Sequence, residues 1–291
     1  MVDVSIIIVN YNTSALTTQC ISSIYASKIT VSYEIILVDN ASIDNTVNVV
    51  QNRFPDVRII KNKENFGFGK ANNIGAQQAN GEYLFLLNSD TILSSDIITP
   101  MLHFLSLNVD VAACGCNLTN GAGKPAVSYG HFPTYTQVFS DIGFYKLYKN
   151  YYKKKLSIAL KVEEKDVFYV DYICGADILI RKNIFDKLAG FDEIFFMYYE
   201  ETDLFYRLKE FGFKSAILPY LSLTHLEGGS MEKLKFNMRK FKIYYKSRVI
   251  YFKKRRKWIP LLKLMDSFYY TAHIRVIGKE WYKIMYNIMI S

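Results

Sequence analysis

The stretch Val4–Asn12, VSIIIVNYN, decides the fold. Val4–Val9 is apolar and β-branched at nearly every position, the composition of a strand buried on both faces. The run then breaks into Asn10-Tyr11-Asn12, and Thr13 or Ser14 is placed to cap a helix carrying Leu16, Cys20, Ile21 and Ile24 on one side. Working outward, the same unit recurs. Glu34–Val38 predicts a strand, and Ser42 or Asp44 caps a helix towards Phe54. Val57–Ile60, Tyr83–Leu87 and Val111–Cys114 read as strands, with helices over Lys70–Ala79 and Ser94–Leu107 between them. This alternation predicts an α/β fold: a doubly wound, mostly parallel sheet with helices on both faces.

In such a sheet the ligand sits at the carboxyl ends of the strands, where strand order reverses. Asn10-Tyr11-Asn12, Asp39-Asn40 and Asn88-Ser89-Asp90 fall at three of those ends. Strand ends that meet water are polar in any case, but the repeated choice of Asn and Asp points to a site. Farther along, about Pro125 to Lys165 is rich in Tyr and Lys and reads as a loop or helical excursion above the sheet. Val167–Arg181 returns to strand character, Glu201–Phe211 is helical, and Phe213–Leu218 predicts a strand ending at Pro219.

The chain has 291 residues, half of them apolar, enough for a large core. Its net charge of +9 is uneven: from Met231 onward there are 16 Lys and Arg against 3 Asp and Glu, leaving 20 against 24 before it. A near-neutral catalytic body over residues 1–230 and a basic helical extension over residues 231–291 are therefore expected. Cys20, Cys114, Cys116 and Cys174 lie in or beside apolar runs and lack zinc-finger spacing, so reduced structural thiols are expected. No apolar stretch reaches the ~20 residues that span a bilayer, and no leader pattern follows Met1. The expected location is the cytoplasm, with peripheral contact at the inner face of the cell membrane.

No glycine-rich phosphate loop follows the first strand, which weakens a dehydrogenase or kinase reading. A diphosphate then needs another positive partner, and a divalent cation held by a carboxylate supplies one. Asp90, directly after a buried strand, is the leading ligand, unless it caps the next helix. His225, in Leu223–Ser230 with its two glycines, is the second candidate. Carboxylate and imidazole together suit Mn²⁺ or Mg²⁺. Asp192, Glu193, Glu200, Glu201 and Asp203 form the densest acidic cluster, broken by aromatics from Phe195 to Tyr199. Carboxylates beside aromatics can serve as a general base, and acidic residues also favour a helix N-terminus.

Seven short motifs carry a likeness. They are Ile8–Asn12, Val38–Ser42, Asn65-Phe66-Gly67-Phe68-Gly69, Leu87–Asp90, Cys174-Gly175-Ala176, Gly190–Glu193 and Glu200–Leu204. In this order they resemble glycosyltransferase family 2, inverting enzymes of GT-A fold, and within it the rhamnosyltransferase-like branch of surface-polysaccharide synthesis. The likeness runs from Val4 to about Ser230. It implies that Asp39 binds the pyrimidine of a dTDP- or UDP-linked donor, with Asn10 and Asn12 lining the same pocket. Asn65, Gly67 and Asn73 match the donor-pocket segment, Asn88, Ser89 and Asp90 the metal motif, and His225 the later metal ligand. The base, usually Asp, is Glu201 here, with Asp203 in support and Glu200 as the alternative base, and Asn88 stands where the metal motif often begins with Asp.

The implied reaction is metal-dependent transfer of a sugar, rhamnose favoured, to a glycan or lipid-linked acceptor. One alternative is a non-catalytic nucleotide-sugar- or glycan-binding member of the same fold. Another, a sugar nucleotidyltransferase, lacks its phosphate loop. In the tail, Leu234, Met238, Phe241, Tyr245, Val249 and Phe252 recur at helical spacing, followed by Lys253–Lys257, a stretch from Leu261 to Ile277, and Trp281, Ile284, Met285 and Ile288. Either these helices pack on the body, or they meet an anionic membrane. Nucleic acid is not an expected partner, because no nucleic-acid module is recognisable.

Overall fold

The computed structural model describes residues 2–141, 146–147, 166–226, 238–272, 283 and 285–288. It divides into two compact units: Met1–Gly130 with Leu160–Phe196 and Glu200–Leu234, and His131–Ala159 with Met197–Tyr199 and Lys235–Ser291.

In the first unit, β1 (Val4–Asn10), β2 (Tyr33–Asp39), β3 (Arg58–Lys61) and β4 (Tyr83–Asn88) run parallel in the order β3-β2-β1-β4. Ile6, Ile8, Ile35, Leu37, Phe85 and Leu87 share one core with Cys20, Ile21 and Ile24 of α1 (Ser14–Ala26) and Met101 and Leu105 of α4 (Ile98–Leu107). The alternate residues face the other way, where Gly75 of α3 (Phe68–Gln77) lies against Ile7 and Val38. Ile6, Ile7 and Ile8 are all fully buried, each contributing about 2 kcal/mol. The unbroken apolar run thus has its expected cause, helices on both faces. A short α2 (Thr46–Arg53) joins β2 to β3.

The other half of the sheet is less regular. Strand β6 (Val111–Thr119) is separated from β4 by β10 (Asp177–Arg181), which is antiparallel to both. Strand β11 (Lys214–His225) lies parallel to β6, and β5 (Thr91–Ile92) and β8 (Phe168–Val170) pair with it antiparallel. Strands β7 (Tyr129–Gly130) and β9 (Tyr172–Ile173) form a separate pair. The sheet is mostly parallel, as expected.

Three local expectations shift. Val167–Arg181 divides into β8, β9 and β10. Pro219 does not end its strand: β11 continues to His225, and a register shift between Leu218 and Ser222 absorbs the residue that cannot donate a ladder hydrogen bond. Helix α4 starts at Ile98, and Asp90 does not cap it, because Thr91–Ile92 leaves Asp90 as strand β5. Two further helices belong to this unit, α6 (Lys182–Lys187) and α7 (Glu200–Glu210).

The second unit contains α5 (Tyr135–Asp141), α8 (Met238–Lys254) and α9 (Ile259–Ala272). Arg248 of α8 forms a two-point ion pair with Asp266 of α9, at 2.9 and 3.2 Å. The same guanidinium donates to the Tyr199 hydroxyl at 3.2 Å, and Ser247 donates to the Met197 carbonyl at 2.8 Å. Phe241, Tyr245 and Met285 form a small core. Of the tail positions singled out by pattern, Leu234, Trp281 and Ile284 lie outside the described residues, as do 227–230 of the glycine-containing motif and most of Pro125–Lys165 beyond Asp141.

Candidate active site

The parallel register places Asn10 beside Asp39 and Val9 beside Asn88, so the polar ends of β1, β2 and β4 share one edge of the sheet. Asn10 is fully buried and fully engaged. Its Nδ2 donates to Asp39 Oδ1 at 2.9 Å and to Ser42 Oγ at 2.8 Å, while its Oδ1 accepts from Thr13 and Thr17 hydroxyls, both at 2.7 Å. With the Ser42 amide donating to Asp39 Oδ2 at 3.2 Å, Asp39 is held in one orientation. Asn10 therefore acts on Asp39 rather than facing open space. Asn12 is exposed, in a left-handed conformation, and accepts from the Ile43 amide at 2.8 Å.

Asn40 was visible in sequence only as part of a motif, yet it organises the next segment. Its amide donates to Asn65 Oδ1 (2.9 Å) and the Gly67 carbonyl (3.1 Å), and its Oδ1 accepts from Asn62 and the Phe66 amide. Gly67 has φ +83°, and a Cβ there would overlap the Phe196 carbonyl, which accepts from the Phe68 amide at 2.9 Å. Only glycine permits that approach. Asn73 clamps Phe191 from both ends of its amide, at 2.8 and 2.9 Å, and so fixes the segment leading to Glu200.

Around Asp90, the pairing of β5 with β11 sets His225 opposite Thr91. His225 Nε2 lies 3.2 Å from Asp90 Oδ1 and 3.4 Å from Asn88 Nδ2. Ser89 Oγ is 3.2 Å from Thr13 Oγ1, tying this turn back to the end of β1. Among the described residues no group of three or more His, Cys, Asp or Glu is arranged to hold a metal. Asp90 and His225 nevertheless bring a carboxylate oxygen and an imidazole nitrogen within 3.2 Å of each other, a donor set that fits a divalent cation sharing its remaining positions with phosphate oxygens and water.

The acidic cluster resolves into different environments. Asp203 is fully buried and paired with Arg207 at 2.7 Å; Arg207 also donates to the Leu188 and Gly190 carbonyls. That pair braces the turn before Phe191. Burial raises the Glu201 carboxyl to about 6, with its own amide and that of Thr202 pulling the other way. Glu200 is 4 % exposed, and its Oε2 has no hydrogen-bond partner. Burial first and the Glu201 charge second push its carboxyl well above the usual range. The two residues before it, Tyr198 and Tyr199, both have φ +68°, a left-handed conformation that costs a bulky side chain on the order of 1 kcal/mol or more.

The Cys174-Gly175-Ala176 segment links the two regions. The Ala176 carbonyl accepts from the Asn88 amide at 3.1 Å, and burial first and the Glu201 charge second push the Cys174 thiol up to about 12. Sequence reasoning missed Asp177, the next residue. It is fully buried in β10 and accepts from the Cys116 amide at 2.7 Å, with Oδ1 unpartnered. Burial raises it to about 7, partly offset by the Cys116 hydrogen bonds and by His225. Its sequence surroundings, Ala176 and Ile178–Ile180, gave no sign of a polar role. All four cysteines are free.

Relatives of known name share much of this chain. A hexosyltransferase of low-salt glycan biosynthesis, Agl10 of Haloferax volcanii, is 28% identical over 211 residues, 71% of this chain and 62% of its own length. The N-acetylglucosaminyl-diphospho-decaprenol L-rhamnosyltransferase of Mycobacterium tuberculosis is 25% identical over 204 residues, 66% of each chain. This chain thus spans less than two thirds of the length of those relatives. Among solved structures, a mannosyltransferase of Pyrobaculum calidifontis in complex with GDP-Man and Mn²⁺ aligns with a TM-score of 0.59 at 15% identity, covering 98% of this chain and 73% of that one. That likeness establishes the GT-A fold. The family description Glycosyl transferase family 2 matches residues 5–163, more than half of the chain, and the protein belongs to that family.

Proposed function

We propose that this protein transfers a sugar, with rhamnose the favoured donor sugar, from a nucleotide diphosphate to a hydroxyl of a glycan or lipid-linked acceptor, inverting the anomeric carbon. The observation that carries the reading is the approach of His225 to Asp90 at the strand ends, with Glu201 half-buried at the start of α7. Asp39, held by Asn10 and Ser42, receives the base of a dTDP- or UDP-linked donor, and the segment shaped by Asn40, Asn65 and Gly67 lines the same pocket. Asp90 and His225, with Asn88 beside them, hold Mn²⁺ or Mg²⁺. When bound, the cation neutralises charge on the leaving diphosphate.

Glu201 accepts the proton of the acceptor hydroxyl. The acceptor oxygen bonds to the anomeric carbon as the bond from that carbon to the diphosphate oxygen breaks, and the electron pair leaves with the nucleoside diphosphate. Asp203, through Arg207, keeps the helix start in place. The names of the relatives support a place in glycan synthesis, and one of them names N-acetylglucosaminyl-diphospho-decaprenol.

The test is nucleoside diphosphate release across dTDP-, UDP- and GDP-sugars, with Mn²⁺ or Mg²⁺, repeated with chelator and with lipid-linked and soluble glycan acceptors. Release from one donor, lost with chelator and restored by the cation, supports the reading. A second reading, a binding module, rests on Glu201 standing in the place of Asp. Donor binding without release under every acceptor tried would establish it and overturn catalysis.

A further inference from the structure

Helix α9 is apolar on two opposite sides. Leu262, Met265 and Asp266 point into the second unit, where Asp266 meets Arg248. On the far side Leu264 is 55% exposed and Phe268 60%, with Pro260 exposed and Leu261 partly covered one turn earlier. At helical spacing these residues and Lys257 form a stripe roughly 100° wide. Trp258, just before the helix, is 66% exposed, and Lys253, Arg256 and Lys257 are exposed beside it. Asp266 is the one acidic residue of 238–272, and it is already paired.

An exposed apolar stripe rimmed by exposed basic side chains has a specific chemical complement. We propose that the outer face of α9, with Trp258 and the basic run Lys253–Lys257, docks onto an anionic lipid surface and lies in the plane of the headgroups. Leu264 and Phe268 enter the acyl boundary, Trp258 sits at headgroup depth, and the basic side chains meet lipid phosphates. At 14 residues α9 is too short to cross, since a span needs ~20, and no described helix is long and apolar enough to do so. A polynucleotide would match the charge but leave Leu264 and Phe268 without a partner. A second copy docked symmetrically would bring two basic runs together. The inference stands apart from glycosyl transfer, because none of these side chains belongs to the site above.

The full chain is sedimented with vesicles of two parts phosphatidylcholine to one part phosphatidylglycerol, and with phosphatidylcholine alone, at low and high salt. Binding to the mixed vesicles only, weakened by salt, is expected. The triple variant Lys253→Gln, Arg256→Gln, Lys257→Gln should lower partitioning on the order of 10²-fold. The double variant Leu264→Ser, Phe268→Ser should lower it at least about tenfold. Trp258 fluorescence, read in a Trp281→Phe background, should shift to the blue on the mixed vesicles and not on the neutral ones, a readout independent of how the helix variants fold. Nucleoside diphosphate release from soluble substrates should be unchanged in both variants, so failure of docking and failure of catalysis are separable. No binding to mixed vesicles, binding undiminished by both variants, or a dimer in sedimentation velocity that Leu264→Ser, Phe268→Ser abolishes would each overturn the proposal.

Discussion

The pH profile of transfer offers the sharpest check on the base. Burial holds the Glu201 carboxyl near 6, against an ordinary value of 4.5, and holds Glu200 well above that. With its value near 6, Glu201 is roughly nine-tenths ionised at neutral pH. A base acts only when ionised, so kcat/KM should rise with pH through about 6 and level off above about 7. At about pH 5 it should stand roughly tenfold below the plateau. Glu200→Gln should leave the midpoint where it is, because burial and not a charge on Glu200 raises the Glu201 carboxyl; a lowered midpoint would show the reverse. Glu201→Gln should cut the rate on the order of 10²–10⁴-fold while donor binding persists. Glu201→Asp draws the carboxylate back by one methylene, a misplacement able to cost ~10²-fold. The assay is nucleoside diphosphate release with a soluble acceptor from about pH 4.5 to 8.5, with donor affinity measured alongside. A flat profile through that range, or full activity in Glu201→Gln, would refute the assignment.

Asp177 should also leave a mark on stability. Its folded value near 7 lies above the ordinary 3.8, so between those values the folded chain binds more protons than the unfolded one. Stability then falls as pH rises through that window, by on the order of 4 kcal/mol in total. Asp177→Asn, uncharged throughout, should match the wild type below about pH 4 and melt higher above about pH 7; a Tm difference that does not grow with pH would contradict this. Gly67→Ala imposes a side chain at φ +83° against the Phe196 carbonyl, and should lose about 2–4 kcal/mol in a denaturant titration together with donor affinity. An unchanged midpoint would show that the loop yields freely. Asp90→Ala and His225→Ala should each raise the Mn²⁺ concentration for half-maximal turnover at least about tenfold, and calorimetric titration of Mn²⁺ in the presence of donor should show the same weakening; equal cation dependence in variant and wild type would remove them as ligands.

Much of the first half of the fold is legible in the chain. Val4–Val9, Glu34–Val38 and Tyr83–Leu87 are apolar on both faces because helices cover both, and the observed strands differ from those ranges by at most one residue at each end. What local pattern could not carry is pairing. Nothing in Asp177–Arg181 says that it enters between β4 and β6 in the opposite direction, because apolar alternation is blind to strand polarity. Pro219 ended the strand by rule, and the bulge that lets β11 run on is set by its neighbour β6. At the site, residue types were readable but not their engagement. Asn10 and Asn73 look like ligand-facing amides until their partners, 29 and 118 positions away, are known. The left-handed Tyr198 and Tyr199 had no signal at all, since neither is a residue that favours that conformation.

The pairing of β5 with β11 has a consequence for how the protein comes into being. Asn88 and His225 are 137 positions apart, and contacts between such distant segments close late, because the entropy of a long loop must be overcome first. Strands β1 to β4, by contrast, need only the opening stretch of the chain. A half-assembled molecule can therefore shape the sheet edge around Asp39 while its His225 is still far from Asp90. If the pair holds a cation as proposed, its capture would report that the sheet has been completed, and the bound ion would in turn shield the β5–β11 edge from local opening.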